Sequence, residues 1–262
     1  MRLKEKEEIS HIEELPKLPF DPLKRAAEVE HLVMKGSSRK YYRFRSARYY
    51  GGIATADQVG CCLLCAYCWN HGRNLNPERS QGGYYTPDQV AHKLLDISQR
   101  KGFNKVRLSG AEPILGQISF EHFCQVLEKV TGTNPWLDFV LETNGLVFGR
   151  YPEFAAALSR YNRLQVRVCL KGWDEQSFEK ISGADGVLFE LPLRGLEYLL
   201  QNGIAAWPAV MYETFGPQGI EKISGKLRQH KIRVEELEVE YLEPYSFVVD
   251  NLKQRSISWQ SI

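Results

Sequence analysis

The chain predicts an α/β fold, a partial (β/α)6 TIM-like barrel with an N-terminal extension. Two observations carry this. Strand-like and helix-like segments alternate through roughly six repeats, and strands separated by helices call for parallel pairing with the helices outside. The strands are also half polar: Arg167, Cys169 and Lys171 share one face of segment 165–171, Lys105, Arg107 and Ser109 one face of 105–109, and Glu236, Glu238 and Glu240 one face of 236–242. Parallel strands covered on both faces, as in a doubly wound sheet, read as nearly continuous Val, Ile and Leu. A polar face instead suits an incompletely closed barrel with a solvated or ligand-filled interior.

The elements follow in order. Residues 1–48 form the extension, charge-rich and punctuated by Pro16, Pro19 and Pro22. Within it, Lys35 to Arg48 holds six basic and no acidic residues, interleaved with Tyr41, Tyr42 and Phe44. It reads either as an anion-binding patch or as a strand that lays its arginines over the domain edge. The barrel domain spans 49–250 and a tail 251–262. Thr86-Pro87-Asp88-Gln89 marks a helix start, with Thr86 as N-cap, Pro87 in the first turn and Gln89 closing a capping box; Gly102 ends that helix. Strand 105–109 follows, then a helix over 120–130 whose apolar stripe makes Cys124 a core thiol. Strand 138–142, helix 151–158, strand 165–171, helices between 174 and 201, strand 205–211, a helix near 219–229 and strand 236–242 complete the chain.

Composition bounds the function. The chain has 262 residues, 43% hydrophobic and 25% charged, which excludes whole-chain disorder and fibrous structure. A net charge of +2 gives no general attraction to nucleic acid or anionic membrane. The N-terminus lacks the apolar run of a signal peptide, and no window approaches the length of a membrane span, so the expected location is cytoplasmic.

Four of the six cysteines, Cys61, Cys62, Cys65 and Cys68, fall within eight residues. Clustering in one loop points to a metal or an iron-sulfur group rather than to a disulfide framework. Cys61, Cys65 and Cys68 stand in the spacing Cys-x3-Cys-x2-Cys, able to hold three irons of a 4Fe-4S cluster and leave the fourth open for chemistry. The same three thiolates with His71 would make a tetrahedral zinc set.

The cysteine spacing, with an aromatic residue before the last cysteine, resembles the signature of the radical S-adenosylmethionine (radical SAM) superfamily. Downstream segments are similar in order: Ser109-Gly110-Ala111-Glu112-Pro113 resembles the family's Gly-Gly-Glu-Pro, Leu141-Glu142-Thr143-Asn144-Gly145 its acidic Thr-Asn-Gly segment, and Val168-Cys169-Leu170-Lys171 the place of a Ser or Asp followed by Lys. The resemblance covers about 51–245. It implies a 4Fe-4S cluster on Cys61, Cys65 and Cys68 that cleaves S-adenosylmethionine reductively to a 5′-deoxyadenosyl radical, which abstracts hydrogen from substrate. It places Glu112 at the methionine amine with Ser109, Gly110 and Ala111 along that moiety, Glu142 and Asn144 at the ribose, Arg167 or Lys171 at the methionine carboxylate, Cys169 near cofactor or substrate, and the Tyr67 backbone at the adenine. Ala111 replaces the second glycine and narrows that approach. Cys62 stays outside the ligand set, either as a spare thiol near the cluster or as a packed one.

The compact single-cluster chain most resembles activase-like members acting on a protein partner, with small-molecule enzymes close behind. The resemblance implies a one-electron reductant such as ferredoxin or flavodoxin. Cys68-Trp69-Asn70-His71 is similar to a run in tRNA-modifying relatives, and the basic stretch 35–48 would meet phosphates there; the low net charge weighs against nucleic acid. A non-enzymatic iron-sulfur or zinc protein would need no Glu112 or Glu142 at strand ends.

Overall fold

The computed structural model describes residues 16–258. Its strands are β1 (Met34–Lys35), β2 (Ser38–Ala47), β3 (Ile53–Gln58), β4 (Gly83–Tyr85), β5 (Lys105–Ser109), β6 (Asp138–Thr143), β7 (Leu164–Cys169), β8 (Ala205–Met211) and β9 (Glu238–Glu240). Its helices are α1 (Pro22–Val33), α2 (His71–Leu75), α3 (Pro87–Lys101), α4 (Gln117–Thr133), α5 (Leu146–Arg150), α6 (Pro152–Leu158), α7 (Glu175–Ser182), α8 (Glu190–Gln201), α9 (Tyr212–Gln229) and α10 (Ser246–Gln254).

The strands β3, β5, β6, β7, β8 and β9 pair in parallel in that order. β2 joins β3 antiparallel, and β1 and β4 pair with β2. Among the described residues no pairing joins β9 back to the other edge, so the barrel is open and partial, as the half-polar strands predict. Alternation sorts the two faces. Ala54, Ala56, Val106, Leu108, Phe139, Leu141, Val166 and Val168 pack in the core under the helices. The opposite, concave face carries charges paired across strands: Arg107 donates to Thr55 Oγ1 at 3.0 Å and Glu142 Oε1 at 2.6 Å, Arg167 to Glu238 Oε2 at 3.0 Å, and Arg43 and Arg45 each reach Asp57 Oδ2 at 2.7 Å.

Several elements fall where local chemistry places them. α3 opens with Thr86 capping Gln89 N and Gln89 returning the bond, and closes at Gly102 in the left-handed region (φ 66°). β5 and β8 match the expected bounds. Other elements differ. α4 is longer than 120–130, extending by a turn at each end. α5 lies unheralded between β6 and α6; it packs so closely on α8 that a Cβ at Gly195 would stand 2.4 Å from Gly145 O. α9 begins at Tyr212, well before 219, and is broken at Gly216 (φ 58°), with Pro217 starting its second part. β9 is shorter than 236–242: a 3-10 turn takes Val234–Glu236, and Leu242 N donates to Glu213 Oε2 at 2.9 Å rather than to a strand.

The largest difference is N-terminal. Residues 1–15 of the expected extension, and 259–262 of the expected tail, lie outside the described residues. Residues 22–47 form a helix and two strands of the same sheet. Four of the six basic residues in the stretch are engaged within the chain: Arg39 is fully buried, Lys40 Nζ donates to the carbonyls of Pro77 and Glu78 at 2.9 Å, and Arg43 and Arg45 share Asp57. The expected anion-binding patch is therefore not formed by these four side chains.

Candidate active site

The cysteine loop leaves the C-terminal end of β3, where a parallel barrel presents its site. Gly60 turns the chain at φ 92°, and a Cβ there would sit 2.7 Å from methyls of Val29 and Val33, so the loop starts pressed against α1. Its far side is pinned too: Leu64 N donates to Ser182 O, Ala66 N to Ile181 O, and Arg255 Nη2 to Leu64 O at 2.5 Å. Cys68 N donates to Cys65 O, which turns the chain between two of the cysteines. Cys61 and Cys68 are half-buried and Cys65 is buried.

Two asparagines bind this loop to the next. Asn70 Nδ2 donates to Gly110 O at 2.6 Å; Asn74 donates to Gly110 O at 3.3 Å and to Cys68 Sγ at 3.6 Å, and accepts from Gly60 N. The Gly110 carbonyl is thereby fixed above β5, with Gly110 itself at φ 86°. Ala111 has no such left-handed φ, so its Cβ brings no backbone strain.

Glu112 is buried and ties the second loop to the third: Oε1 accepts from Thr143 Oγ1 at 2.7 Å and Ile114 N at 3.3 Å, and Oε2 from Asn144 N at 2.7 Å. Burial and the neighbouring Cys61 push its carboxyl up to about 8, against those three donors. Asn144, expected at the ribose, is turned elsewhere. Its Nδ2 donates to Cys62 Sγ at 3.1 Å and its Oδ1 accepts from Leu146 N, closing the turn into α5. Cys62 is buried beside Cys61.

On the concave floor, burial works to raise the Glu142 carboxyl, but Arg107 and Arg167 outweigh it and, with the Ser109 hydroxyl, hold it below the ordinary range. Arg167, expected at the methionine carboxylate, is committed to β9: besides Glu238 it reaches Glu240 Oε1 at 2.7 Å, and Nη1 donates to Cys169 Sγ at 2.9 Å. Lys171 donates to Tyr67 OH at 2.9 Å, which brings the two expected groups together at the mouth of the barrel.

Three thiols on one short loop are a donor set that fits an iron-sulfur cluster, and with His71 one that fits zinc. Among the described residues no three histidines, cysteines or carboxylates already converge as a metal-binding set. Cys61 Sγ accepts from Leu63 N at 3.4 Å and Cys68 Sγ from Asn74, and N–H donors to sulfur suit a cluster held by thiolates. A hydrogen bond from Cys62 lowers the Cys61 thiol to about 7 against its burial, with Arg25 and Lys171 assisting. Burial pushes Cys65 up to about 12 and Cys68 to about 11.

Fold and loop together define an open parallel α/β barrel with a thiol-rich loop at its C-terminal mouth. The chain belongs to the radical SAM superfamily, whose profile matches residues 56–221. That family uses a 4Fe-4S cluster and S-adenosylmethionine. Curated relatives include the probable GTP 3′,8-cyclase of Methanococcus aeolicus, 26% identical over 201 residues, covering 74% of this chain and 62% of the relative. That of Thermococcus kodakarensis is 28% identical over 138 residues, 52% of this chain and 39% of the relative. The chain thus spans less than two thirds of these relatives. Among solved structures, anSMEcpe with bound AdoMet superposes with a TM-score of 0.53 at 18% identity, over 72% of this chain and 52% of that one. A radical SAM methyltransferase from Sphaerobacter thermophilus gives 0.53 at 13% identity, over 81% and 67%. These likenesses establish the fold.

Cysteine spacing and strand-end motifs single out residues that the fold brings to the C-terminal ends of β3, β5, β6 and β7. Asn70, Asn74, Arg107 and Tyr50, which approaches Glu142 Oε1 at 3.4 Å, escape that reading. Arg107 carried a signal through its shared face with Lys105 and Ser109, and Asn70 only as part of the Cys68-Trp69-Asn70-His71 run.

Proposed function

We propose that the chain is a radical SAM enzyme whose Cys61, Cys65 and Cys68 hold the cluster, and which abstracts hydrogen from a substrate bound over the concave face. The carrying observation is the Asn70 and Asn74 bridge, which fixes the cysteine loop to the Gly110 backbone so that ligand thiols and cofactor-binding loop keep one geometry. When bound, the cluster and S-adenosylmethionine supply one-electron reductive cleavage and a carbon radical able to abstract hydrogen.

The chain's own residues do the rest. Ser109, Gly110 and Ala111 offer backbone polar groups to the methionine amine, and Glu112 supports them through Thr143 and Asn144. Lys171, held by Tyr67, supplies positive charge at the mouth for the methionine carboxylate, since Arg167 is spent on β9. Glu142 keeps its charge beside Arg107 and can accept from a ribose diol through its second oxygen. Cys169, beside Arg167, lines the floor. The electron comes from a one-electron reductant of the ferredoxin or flavodoxin class.

Two substrate readings stand on different observations. The relatives' names favour a purine nucleotide. The concave face favours an uncharged or zwitterionic substrate, such as a segment of a protein partner in the activase-like manner, because its four arginines face four carboxylates: Arg43 and Arg45 share Asp57, Arg107 pairs with Glu142, and Arg167 with Glu238 and Glu240. Deuterium separates the two. A 3′,8-cyclisation must remove the hydrogen on ribose C3′, so label passing from 3′-deuterated GTP into 5′-deoxyadenosine supports the nucleotide reading. Turnover without label transfer supports the other.

A further inference from the structure

The segment preceding the family match delivers two buried guanidinium groups to the cysteine loop. Arg39, on β2, is fully buried and donates through Nη2 to Glu112 O at 2.8 Å and to Val59 O at 3.4 Å, so one side chain spans the cofactor loop and the root of the cysteine loop. Arg25, on α1, is 4% exposed and donates to Asn74 O at 2.8 Å, the residue that itself bonds Cys68 Sγ and Gly110 O.

Neither is conventionally paired. Arg39 Nε and Nη1 and Arg25 Nε have no hydrogen-bond partner among the described residues. Glu30 and Glu112 act on Arg39 only through space, and Glu30 is held elsewhere, accepting from Ser119 N and Oγ. A guanidinium stays charged even when desolvated, and a buried unpaired charge is costly. Two such cations behind one loop call for a negative counterpart at that loop, and a cluster on three thiolates brings one.

We infer that Arg25 and Arg39 are positioning residues that hold the cysteine and cofactor loops in register and whose buried charge raises the midpoint potential of the cluster. This rests on the cluster assignment above. The sign is electrostatic: a reduced cluster carries one more negative charge than an oxidised one, so fixed cations in a low-dielectric surround favour reduction.

The test is a redox titration of the reconstituted full chain followed by electron paramagnetic resonance. Arg39→Met and Arg25→Met should each lower the reduced-to-oxidised ratio at fixed potential about tenfold, ~59 mV for a one-electron couple. Arg39→Lys should restore the potential, because it keeps the charge, while weakening S-adenosylmethionine binding, because it cannot span both carbonyls. If Arg39→Met takes up no cluster, Arg25→Met and Arg39→Lys decide alone. Unmoved potentials in the charge-removing variants of a cluster-bearing chain overturn the inference. A wild-type chain that takes up no 4Fe-4S cluster overturns the cluster assignment itself.

Discussion

Asn70 Nδ2 lies 2.6 Å from the carbonyl oxygen of Gly110, joining the end of the cysteine loop to the loop after β5. Neither residue is a cluster ligand, yet the bond sets the distance between the loop that would hold iron and the loop that would hold the cofactor. Asn70→Ala should therefore leave iron and sulfide content unchanged and weaken S-adenosylmethionine binding about tenfold, roughly 1.4 kcal/mol. Anaerobic equilibrium dialysis measures it, and unchanged affinity would dissolve the link.

Gly60 is where the barrel meets α1. Gly60→Ala puts a methyl 2.7 Å from Val29 and Val33 at a φ of 92° that side chains avoid. Overpacking and backbone strain together should cost about 2–4 kcal/mol in urea unfolding. A stability within 0.5 kcal/mol of wild type, roughly the range of a neutral surface change, would mean that α1 yields freely.

The Arg107–Glu142 pair, at 2.6 Å with side chains 5% and 17% exposed, is predicted to matter more to stability when half broken than when removed. Arg107→Met leaves a carboxylate stranded and should cost about 3 kcal/mol, whereas adding Glu142→Gln should recover much of it. A double-mutant cycle showing simple additivity would contradict the coupling.

His122 makes the fold acid-sensitive. Burial pushes its imidazole down to about 4 from 6.5. Nδ1 donates to Ser37 O at 2.7 Å, so Nε2 accepts from Tyr41 OH at 2.9 Å and has no room for a proton. Below pH 6.5 the unfolded chain gains a proton that the folded chain refuses, so stability present above 6.5 falls as pH drops toward 4, by about 3 kcal/mol in all. His122→Gln should flatten that limb in unfolding measured between those pH values; an unchanged slope would locate the acid sensitivity elsewhere.

Legibility followed the range of the interactions. The bounds of α3 were readable because Thr86, Pro87, Gln89 and Gly102 act within one turn of themselves. The concave charged face was readable from period-two alternation, but not the partner of each charge, since Arg107–Glu142 and Arg167–Glu238 join residues far apart in the chain. The cysteine loop was readable by spacing. The Thr-Asn-Gly setting of Asn144 was readable, but not that its amide closes the turn into α5 and meets Cys62, which lies far off in the chain. Arg25 carried no local sign and Arg39 only that of a basic stretch, and it is the packing of α1 and the pairing of β2 that bring them behind the cysteines.

Everything proposed for the site depends on Cys61, Cys65 and Cys68 supporting reductive cleavage of S-adenosylmethionine. The most direct measurement is release of 5′-deoxyadenosine by anaerobically reconstituted, dithionite-reduced protein, compared with the Cys65→Ala variant. Wild type should release 5′-deoxyadenosine and the variant should not. Equal release from both, or a wild-type chain that binds one zinc and forms no cluster, would contradict it.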